Sequence, residues 1–423
     1  MLATRASTRN AQRLARSFAT VVDSAGVKVA AVDANQPTSS VTFLVKAGSR
    51  FEPKAGVAHG LKNFAFKSTA KRSALGTIRE SELYGGVLSA NLSREYLALT
   101  ADFLKGDEEY FVDVLSSFVT SGRFTRHEFE EYVLPVVQSE THAGHSTPAV
   151  HALEHAHALA FRNGLGSSLF ANEHPSFTAE DIKAFAKSAF TKGNIAVLGS
   201  GISQEALSKL VDQSLSKLSA SASSTPAAAS YFGGETRVQA HGPQTVFVGF
   251  GAAGKPSAEL AALAAHISPA PSVKWSRGIS PIASAIPEGT TVQSVYLPYS
   301  DATLLGFLIQ GQNGAAVKEA GKAAVSALKS AGNGLKGEDL KTAVAKAKFA
   351  AASATESREG LVSLLGAQVF SGSQATAEAA LNAFDGVSES AFAKAASTLV
   401  KGKPTYVAVG DIASLPHADE LGL

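Results

Sequence analysis

Hydrophobic and polar positions along the chain follow two periods, the alternation typical of strands and the 3.6-residue repeat typical of helices. Together they indicate an α+β fold in which helices cover one face of a mostly antiparallel sheet. The predicted strands are residues 27–32, 41–46, 89–93, 96–103, 195–198, 245–250, 292–297, 303–309 and 405–409. The predicted helices are residues 56–69, 108–121, 125–140, 148–161, 178–190, 315–330, 338–355 and 388–399.

The second half of the chain repeats the order of elements in the first half. A helix, a Lys-Gly pair and a strand end the first half at 178–198, and the same succession ends the second half at 388–409. The offset is about 210 residues, half of the chain, which predicts an internal duplication. The Ser-, Ala- and Pro-rich residues 216–230 lack any period and predict a linker between domains 21–215 and 231–423.

Residues 1–20 differ in composition from the rest of the chain. They contain four Arg at spacings of four, four and three residues, and no acidic residue precedes Asp23. These spacings place the charges on one face of a helix, and no apolar core of the kind found in secretory signals follows. The segment is therefore predicted to be a mitochondrial transit peptide, with cleavage expected near Phe18.

Composition excludes several classes of function. Without those four Arg the chain has 34 basic and 36 acidic residues, which is not the basic footprint of a nucleic-acid-binding protein. Cys is absent, so the chain cannot form a disulfide, ligate an iron–sulfur cluster or attach a c-type haem. No apolar run approaches the ~18–20 residues needed to cross a bilayer. We expect no cofactor in this chain, and attachment to any membrane through partner subunits.

The predicted helix at 56–69 carries the most specific motif in the sequence. His59-Gly-Leu-Lys62-Asn63 has the spacing of an H-x-x-E-H zinc helix, in which two His bind zinc and the Glu acts as base. Here Lys62 replaces the base and Asn63 replaces the second ligand. A catalytic zinc ion needs three protein ligands, and an ammonium group beside it would repel the ion. We therefore expect neither metal nor catalysis at this motif.

These residues resemble the pitrilysin-type metallopeptidases, the family of insulinase and the mitochondrial processing peptidase. The resemblance includes residues 72–95 and 231–237 and covers nearly all of the chain after its first twenty residues. It implies two duplicated domains. It also implies a third ligand position at Glu140, which 76 residues separate from Asn63. His59, Lys62, Asn63 and Glu140 would then form a relic site in which Lys62 replaces the cation and pairs with Glu140.

Two branches of this family lack the zinc motif. The C-terminal residues 415–421 and the run 274–282 resemble the core-protein branch, whose members are non-catalytic subunits of the mitochondrial ubiquinol–cytochrome c reductase (complex III). The alternative is the substrate-binding alpha subunit of the processing peptidase, which has a flexible Gly-rich loop. Residues 268–283 contain one Gly and three Pro, which makes the loop stiff. We therefore favour a subunit for assembly and stability on the matrix side of the inner membrane.

The favoured branch implies the partners of the chain. These are the other complex III subunits, especially core protein I and cytochromes b and c1, in a dimeric multi-subunit complex. Trp275 and Arg277 are candidates for subunit contacts, because Trp and Arg are enriched at interface hot spots. The alternative is that Trp275 packs beneath its own loop.

A second zinc-like motif lies in the predicted helix 148–161. His151-Ala-Leu-Glu154-His155 is a literal H-x-x-E-H sequence. A Glu at the spacing of Glu140 would fall at Phe232, however, and the nearest carboxylate, Glu235, lies beyond the expected linker. We favour a structural helix, in which the additional nearby histidines allow adventitious metal binding.

Overall fold

The computed structural model describes residues 21–423, apart from 25, 34, 222, 271–279, 281, 355–356, 358–359, 361–368 and 371–380. The expected transit peptide and the two candidate contact residues, Trp275 and Arg277, lie outside the described residues. The predicted helices and strands are found close to their expected positions, except that the helix expected at 56–69 ends at Phe64. The strands are β1 (Val22–Ser24), β2 (Val27–Val32), β3 (Thr38–Val45), β4 (Val87–Leu92), β5 (Leu97–Leu104), β6 (Ile195–Ser200), β7 (Gly234–Gln239), β8 (Gln244–Ala253), β9 (Thr291–Pro298), β10 (Ala302–Gly311) and β11 (Thr405–Gly410).

Most of the helices were predicted from the sequence. The three that were not are Ala74–Leu83, Gln204–Leu215 and Ala258–Ile267. The α-helices are α1 (Val57–Phe64), α2 (Ala74–Leu83), α3 (Glu108–Ser121), α4 (Arg126–Glu128), α5 (Leu134–Ser146), α6 (Pro148–Phe161), α7 (Ala179–Ala189), α8 (Gln204–Leu215), α9 (Ala258–Ile267), α10 (Gly314–Gly332), α11 (Gly337–Ala354) and α12 (Glu389–Val400). A π-helical turn, Phe129–Val133, joins α4 to α5. Within the described part of the chain, no helix is both long and apolar enough to span a membrane.

The chain divides into two compact units. The first takes in the described residues of Met1–Thr141, Leu169–Pro226 and Ala354–Ala380. The second takes in those of His142–Ser168, Ala227–Ser353 and Leu381–Leu423. The expected domains 21–215 and 231–423 are continuous along the chain, whereas each unit combines three segments.

The first unit contains a six-stranded sheet in the order β1-β2-β6-β3-β5-β4. Strands β2 and β6 run parallel, and the other neighbours in the sheet are antiparallel. Strand β6, the last of this sheet in sequence, therefore lies between β2 and β3, which follow each other in the chain. The core of this unit contains Phe43 and Leu99 from the sheet, Leu61 from α1, Phe111 from α3 and Ile182 from α7.

The second unit contains a five-stranded sheet in the order β7-β11-β8-β10-β9. Strands β7 and β11 are parallel, and the other pairs are antiparallel. Apart from β1, the two sheets have one topology: the last strand in sequence lies between the first two, and the fourth precedes the third. The predicted duplication and the mostly antiparallel pairing are confirmed.

Helix α6 explains why segment 142–168 belongs to the second unit. Its residues Ala152, Ala156 and Ala160 are fully buried, and the four-residue spacing places these small side chains on one face of the helix. This face packs in one apolar cluster with residues of β8, β10 and β11, including Phe247 and Val407. The opposite face of the same sheet packs against α9, α10 and α12. Helices thus cover both faces of the second sheet, whereas the sequence led us to expect one.

The predicted helix 125–140 is interrupted by the π turn. Pro135 is the second residue after this turn, and proline has no N–H to donate and clashes with the carbonyl four residues earlier. The wider turn accommodates the ring, and Leu134 N–H bonds to Phe129 O, five residues before it. One additional residue in a turn rotates all later side chains by about 100° around the helix axis. The turn therefore sets the direction in which Glu140 projects from α5.

Candidate functional site

Helix α1, which carries His59, Lys62 and Asn63, begins directly after a turn that ends in Gly56. Gly56 precedes the helix with φ 85°, a left-handed conformation that favours glycine. Glu52 accepts a hydrogen bond from Ala58 N–H at 3.1 Å, so a carboxylate satisfies one of the free donors of the first turn. Burial raises the pKa of Glu52 to about 7, against the opposing effect of its backbone hydrogen bonds.

Gly60 allows α1 to pack closely against α7. A Cβ atom at Gly60 would lie 2.7 Å from Ile182 Cδ1 and 2.8 Å from Phe177 Cε2. The glycine between His59 and Lys62 is therefore a packing requirement. It fixes the depth at which the site residues of α1 lie in the first unit.

The structure brings together all four residues predicted from the sequence. Lys62 Nζ donates to Glu140 Oε1 at 2.5 Å, which is the ion pair that the family resemblance led us to expect. His59 Nε2 lies 2.6 Å from Glu140 Oε2, and Asn63 Nδ2 donates to the same oxygen at 2.9 Å. Helix α1 supplies three of the groups and α5 supplies the carboxylate, so the positions of a metal centre are kept while their chemistry differs.

A backbone donor determines the tautomer of His59. Ala171 N–H donates to His59 Nδ1 at 3.1 Å, so Nδ1 carries the lone pair. The ring proton of the neutral imidazole then lies on Nε2, which donates it to Glu140. The side chain of His59 is 3% exposed, and Phe170 contacts its ring edge-on at a centroid distance of 5.8 Å. Both ring nitrogens are therefore engaged, and neither offers a lone pair to a cation.

The carboxylate of Glu140 is held in its ionised form. The hydrogen bond from His59 lowers the pKa of Glu140 to about 2, with partial burial opposing and Lys62 and Asn63 assisting. The Lys62 ammonium balances the charge of this carboxylate at contact distance. The cluster is electrostatically complete without a metal ion.

The donor set does not fit a catalytic zinc ion, which needs three protein ligands and an open position for water. His59 and Glu140 are the two residues of ligand type at this site, and an ion between them would face the Lys62 ammonium. Across the described ranges, no group of three or more His, Cys, Asp or Glu side chains is placed to hold a metal. Lys62 and Asn63, which occupy the positions of the base and the second ligand, both donate to Glu140 instead.

Three contributors to the site were not predicted. The donor at Ala171 is a backbone group, which leaves no trace in residue type, and Phe170 follows no spacing rule relative to His59. Glu52 was detectable in principle, because a carboxylate a few residues before a helix start is a common capping signal.

The second zinc-like motif lies in the second unit, on α6. His151 Nε2 and His155 Nε2 are 3.0 Å apart, so the rings face each other instead of a carboxylate from another element. At the position where the spacing of Glu140 would require a Glu, the chain has Phe232. The histidine pair therefore has no counterpart of Glu140 there, and its chemistry differs from that of the first-unit site.

Comparison with known proteins agrees with the fold and the site. Residues 28–173 match the family described as insulinase, peptidase family M16. This match contains α1 with His59, Lys62 and Asn63, as well as Glu140 on α5. The fold and the four-residue cluster together define an insulinase-type protein in which the base and one metal ligand have been replaced.

Relatives of almost the same length identify the branch of this family. The chain is 46% identical to cytochrome b-c1 complex subunit 2, mitochondrial, of Cryptococcus neoformans var. grubii, over 99% of this chain and 98% of the relative. The same-named protein of Yarrowia lipolytica is 37% identical, over 98% and 100% of the two chains. The human one is 29% identical, over 94% and 90%. The chain belongs to the family of mitochondrial cytochrome b-c1 complex subunit 2 proteins. The resemblance to the core-protein branch, and within it to core protein II (subunit 2), is confirmed.

Proposed function

We propose that this chain is a non-catalytic core subunit of mitochondrial complex III, the complex that transfers electrons from ubiquinol to cytochrome c. Its contribution is to the assembly and stability of the complex. The observation that carries the proposal is the replaced zinc site, in which Lys62 pairs with Glu140, in a chain that is similar to the subunit 2 proteins from end to end.

The chemistry of the cluster supports a role without peptidase activity. Peptide hydrolysis by this class of site requires a metal-bound water and a base that removes its proton. Lys62 stands where that base would be, and its ammonium is tied to Glu140 at 2.5 Å. His59 directs its Nε2 proton to the same carboxylate. The chain is therefore not an enzyme by itself.

The proposal assigns cofactors and partners to other chains. Without cysteine, this subunit cannot hold an iron–sulfur cluster or attach a c-type haem, so the redox groups belong to its neighbours. The proposed neighbours are core protein I and cytochromes b and c1 in a dimeric complex. The Arg-rich residues 1–20 support import into mitochondria, and we place the subunit peripherally on the matrix face of the inner membrane.

Mass spectrometry of native-gel bands from mildly solubilised mitochondria tests the proposal. We expect this chain to migrate with cytochromes b and c1 in stoichiometric amounts. Depleting it should reduce the abundance of the assembled complex while the turnover of each remaining complex is unchanged. Migration as a soluble heterodimer with a protein that has an intact H-x-x-E-H motif would instead identify a processing-peptidase subunit and overturn the proposal.

A further inference from the structure

Two histidines on α6 direct the same ring nitrogen towards each other. His151 and His155 are one helical turn apart, and their Nε2 atoms are separated by 3.0 Å. The ring centroids are 4.6 Å apart. Both side chains are partly exposed, so solvent and small ions have access to the pair. Both residues belong to the second unit, whereas the cluster around Glu140 belongs to the first.

The separation of these nitrogens matches that of two ligands on one metal ion. Imidazole nitrogens bind zinc at about 2.0–2.1 Å, which places two of them about 2.9 Å apart at a right angle and about 3.3 Å apart at the tetrahedral angle. The observed 3.0 Å lies between these values. The two nitrogens therefore already have the separation that a shared ion requires.

The surroundings of the pair favour neutral imidazoles, which are the form that binds metal. Burial, with the neighbouring histidines, lowers the pKa of both His151 and His155. His145 stacks on His151 at a centroid distance of 5.2 Å and an interplanar angle of 27°. His145 thus stacks with the His151 ring, and the short nitrogen–nitrogen distance is the one between His151 and His155. The pair itself is the chelating unit.

We propose that His151 and His155 form a two-ligand site for a divalent first-row transition ion, with water completing the coordination shell. Imidazole ligands suit Zn²⁺, Cu²⁺ and Ni²⁺ and exclude the oxygen-preferring Mg²⁺ and Ca²⁺. The absence of a three-ligand group among the described residues makes this an open, exchangeable site. The literal H-x-x-E-H sequence on α6 is thus a metal-binding pair without the third ligand that a zinc peptidase needs.

Calorimetric titration of the full-length chain with Zn²⁺ tests the site. We expect one binding event that His151→Gln and His155→Gln each weaken by at least the ~10–100-fold that loss of a supporting partner costs metal sites. His127→Gln is the matched control, because His127 is a helical histidine with an exposed side chain that pairs with Glu131. Its affinity for Zn²⁺ should equal that of the parent chain. Unchanged binding in His155→Gln, or equal loss in His127→Gln, overturns the proposal.

Electron paramagnetic resonance of the parent chain with one equivalent of Cu²⁺ gives a readout that does not depend on folding of the variants. Two imidazole nitrogens bound to one ion should give hyperfine coupling to two equivalent nitrogen nuclei. Coupling to one nitrogen, or to none, contradicts a chelating pair. Mg²⁺ in excess should not displace the bound Cu²⁺, and displacement would likewise count against imidazole ligation.

Discussion

At the scale of single residues, the carboxylate of Glu140 organises the site. It accepts hydrogen bonds from His59, Lys62 and Asn63 within 2.9 Å, so its charge is compensated by groups of α1 alone. An isolated charge at a partly buried position is costly, and three donors remove most of that cost. With Lys in the position of the base and Asn in the position of one ligand, the charge of the cluster is balanced without a metal ion.

Glu140→Gln should destabilise the chain in a pH-dependent manner. The pKa of Glu140 is about 2 in the folded chain against 4.5 for an unperturbed Glu. The ionised carboxylate therefore stabilises the fold above pH 4.5, and this stabilisation is lost as the pH falls towards 2. Because the side chain is one-third exposed, we expect a loss of about 1–3 kcal/mol in the free energy of unfolding at neutral pH.

Urea unfolding near neutral pH and in acid measures this difference. Glu130→Gln is the control, because its partner Arg126 is on the surface and such pairs contribute about 0–1 kcal/mol. The gap between Glu140→Gln and the parent chain should narrow in acid. A gap of equal size at both pH values would show that charge is not what Glu140 contributes.

At the scale of elements, the contact of α1 with α7 fixes the position of three site residues. Gly60 lies against Ile182 and Phe177 with no room for a methyl group. Alanine is the better helix former by about 1 kcal/mol, so propensity and packing make opposite demands at this position. The observed glycine shows that packing prevails.

Gly60→Ala should therefore lower stability although it improves helix propensity. Overpacking a core costs about 1–3 kcal/mol, and after the gain in propensity we expect a net loss of about 1–2 kcal/mol in the free energy of unfolding. Gly76→Ala in α2 is the matched control, since its Cβ would meet only Ser73 Oγ, at 3.1 Å. Chemical denaturation should show Gly76→Ala unchanged or stabilised by up to about 1 kcal/mol. A stabilised Gly60→Ala variant would refute the packing argument.

An apolar stripe made several helices predictable, but α8 was missed although its buried Leu207, Val211 and Leu215 recur at four-residue spacing. Helices α3 and α6 occur with the predicted bounds, because their buried positions recur at helical spacing. Helix α2 was missed: Leu75 and Ile78 are exposed, so its apolar residues do not mark a buried face. The hydrophobic pattern of α2 therefore does not predict a helix.

The residue types of the site were predictable, while its support was not. His59, Lys62, Asn63 and Glu140 were found because a known motif fixes their spacing. The donor of Ala171 and the π turn before Pro135 depend on backbone geometry. Both follow from three-dimensional constraints that residue types at regular spacings do not encode.

At the scale of the whole molecule, one topology is used twice. Apart from β1, the parallel pair of each unit joins the first strand to the last, namely β2 to β6 and β7 to β11. Tyr406 and Val407 of β11 are fully buried, and they face opposite sides of the second sheet. The last strand of the second unit is therefore a central element of its core.

Removing β11 should prevent the second unit from folding. A chain that stops at Pro404 loses the strand paired with both β7 and β8. Limited proteolysis with mass spectrometry should find new cleavage sites within the second unit and fewer within the first. A chain that stops at Gly410 keeps β11 and is the control, with milder sensitivity expected. Full protection of the second unit in the shorter chain would contradict this account.

The place of β6 and β11 also has a consequence for the order in which the protein acquires its structure. Strands β2 and β3, and likewise β7 and β8, are neighbours in sequence but are not paired with each other, because the last strand of each sheet separates them. While a chain emerges from its N-terminus, that slot stays open and two strand edges remain available to any other extended segment. Strands β6 and β11 occupy equivalent positions in the two sheets. Each can therefore compete for the position that belongs to the other. Each sheet is therefore exposed to incorrect strand pairing until its own last strand has been synthesised.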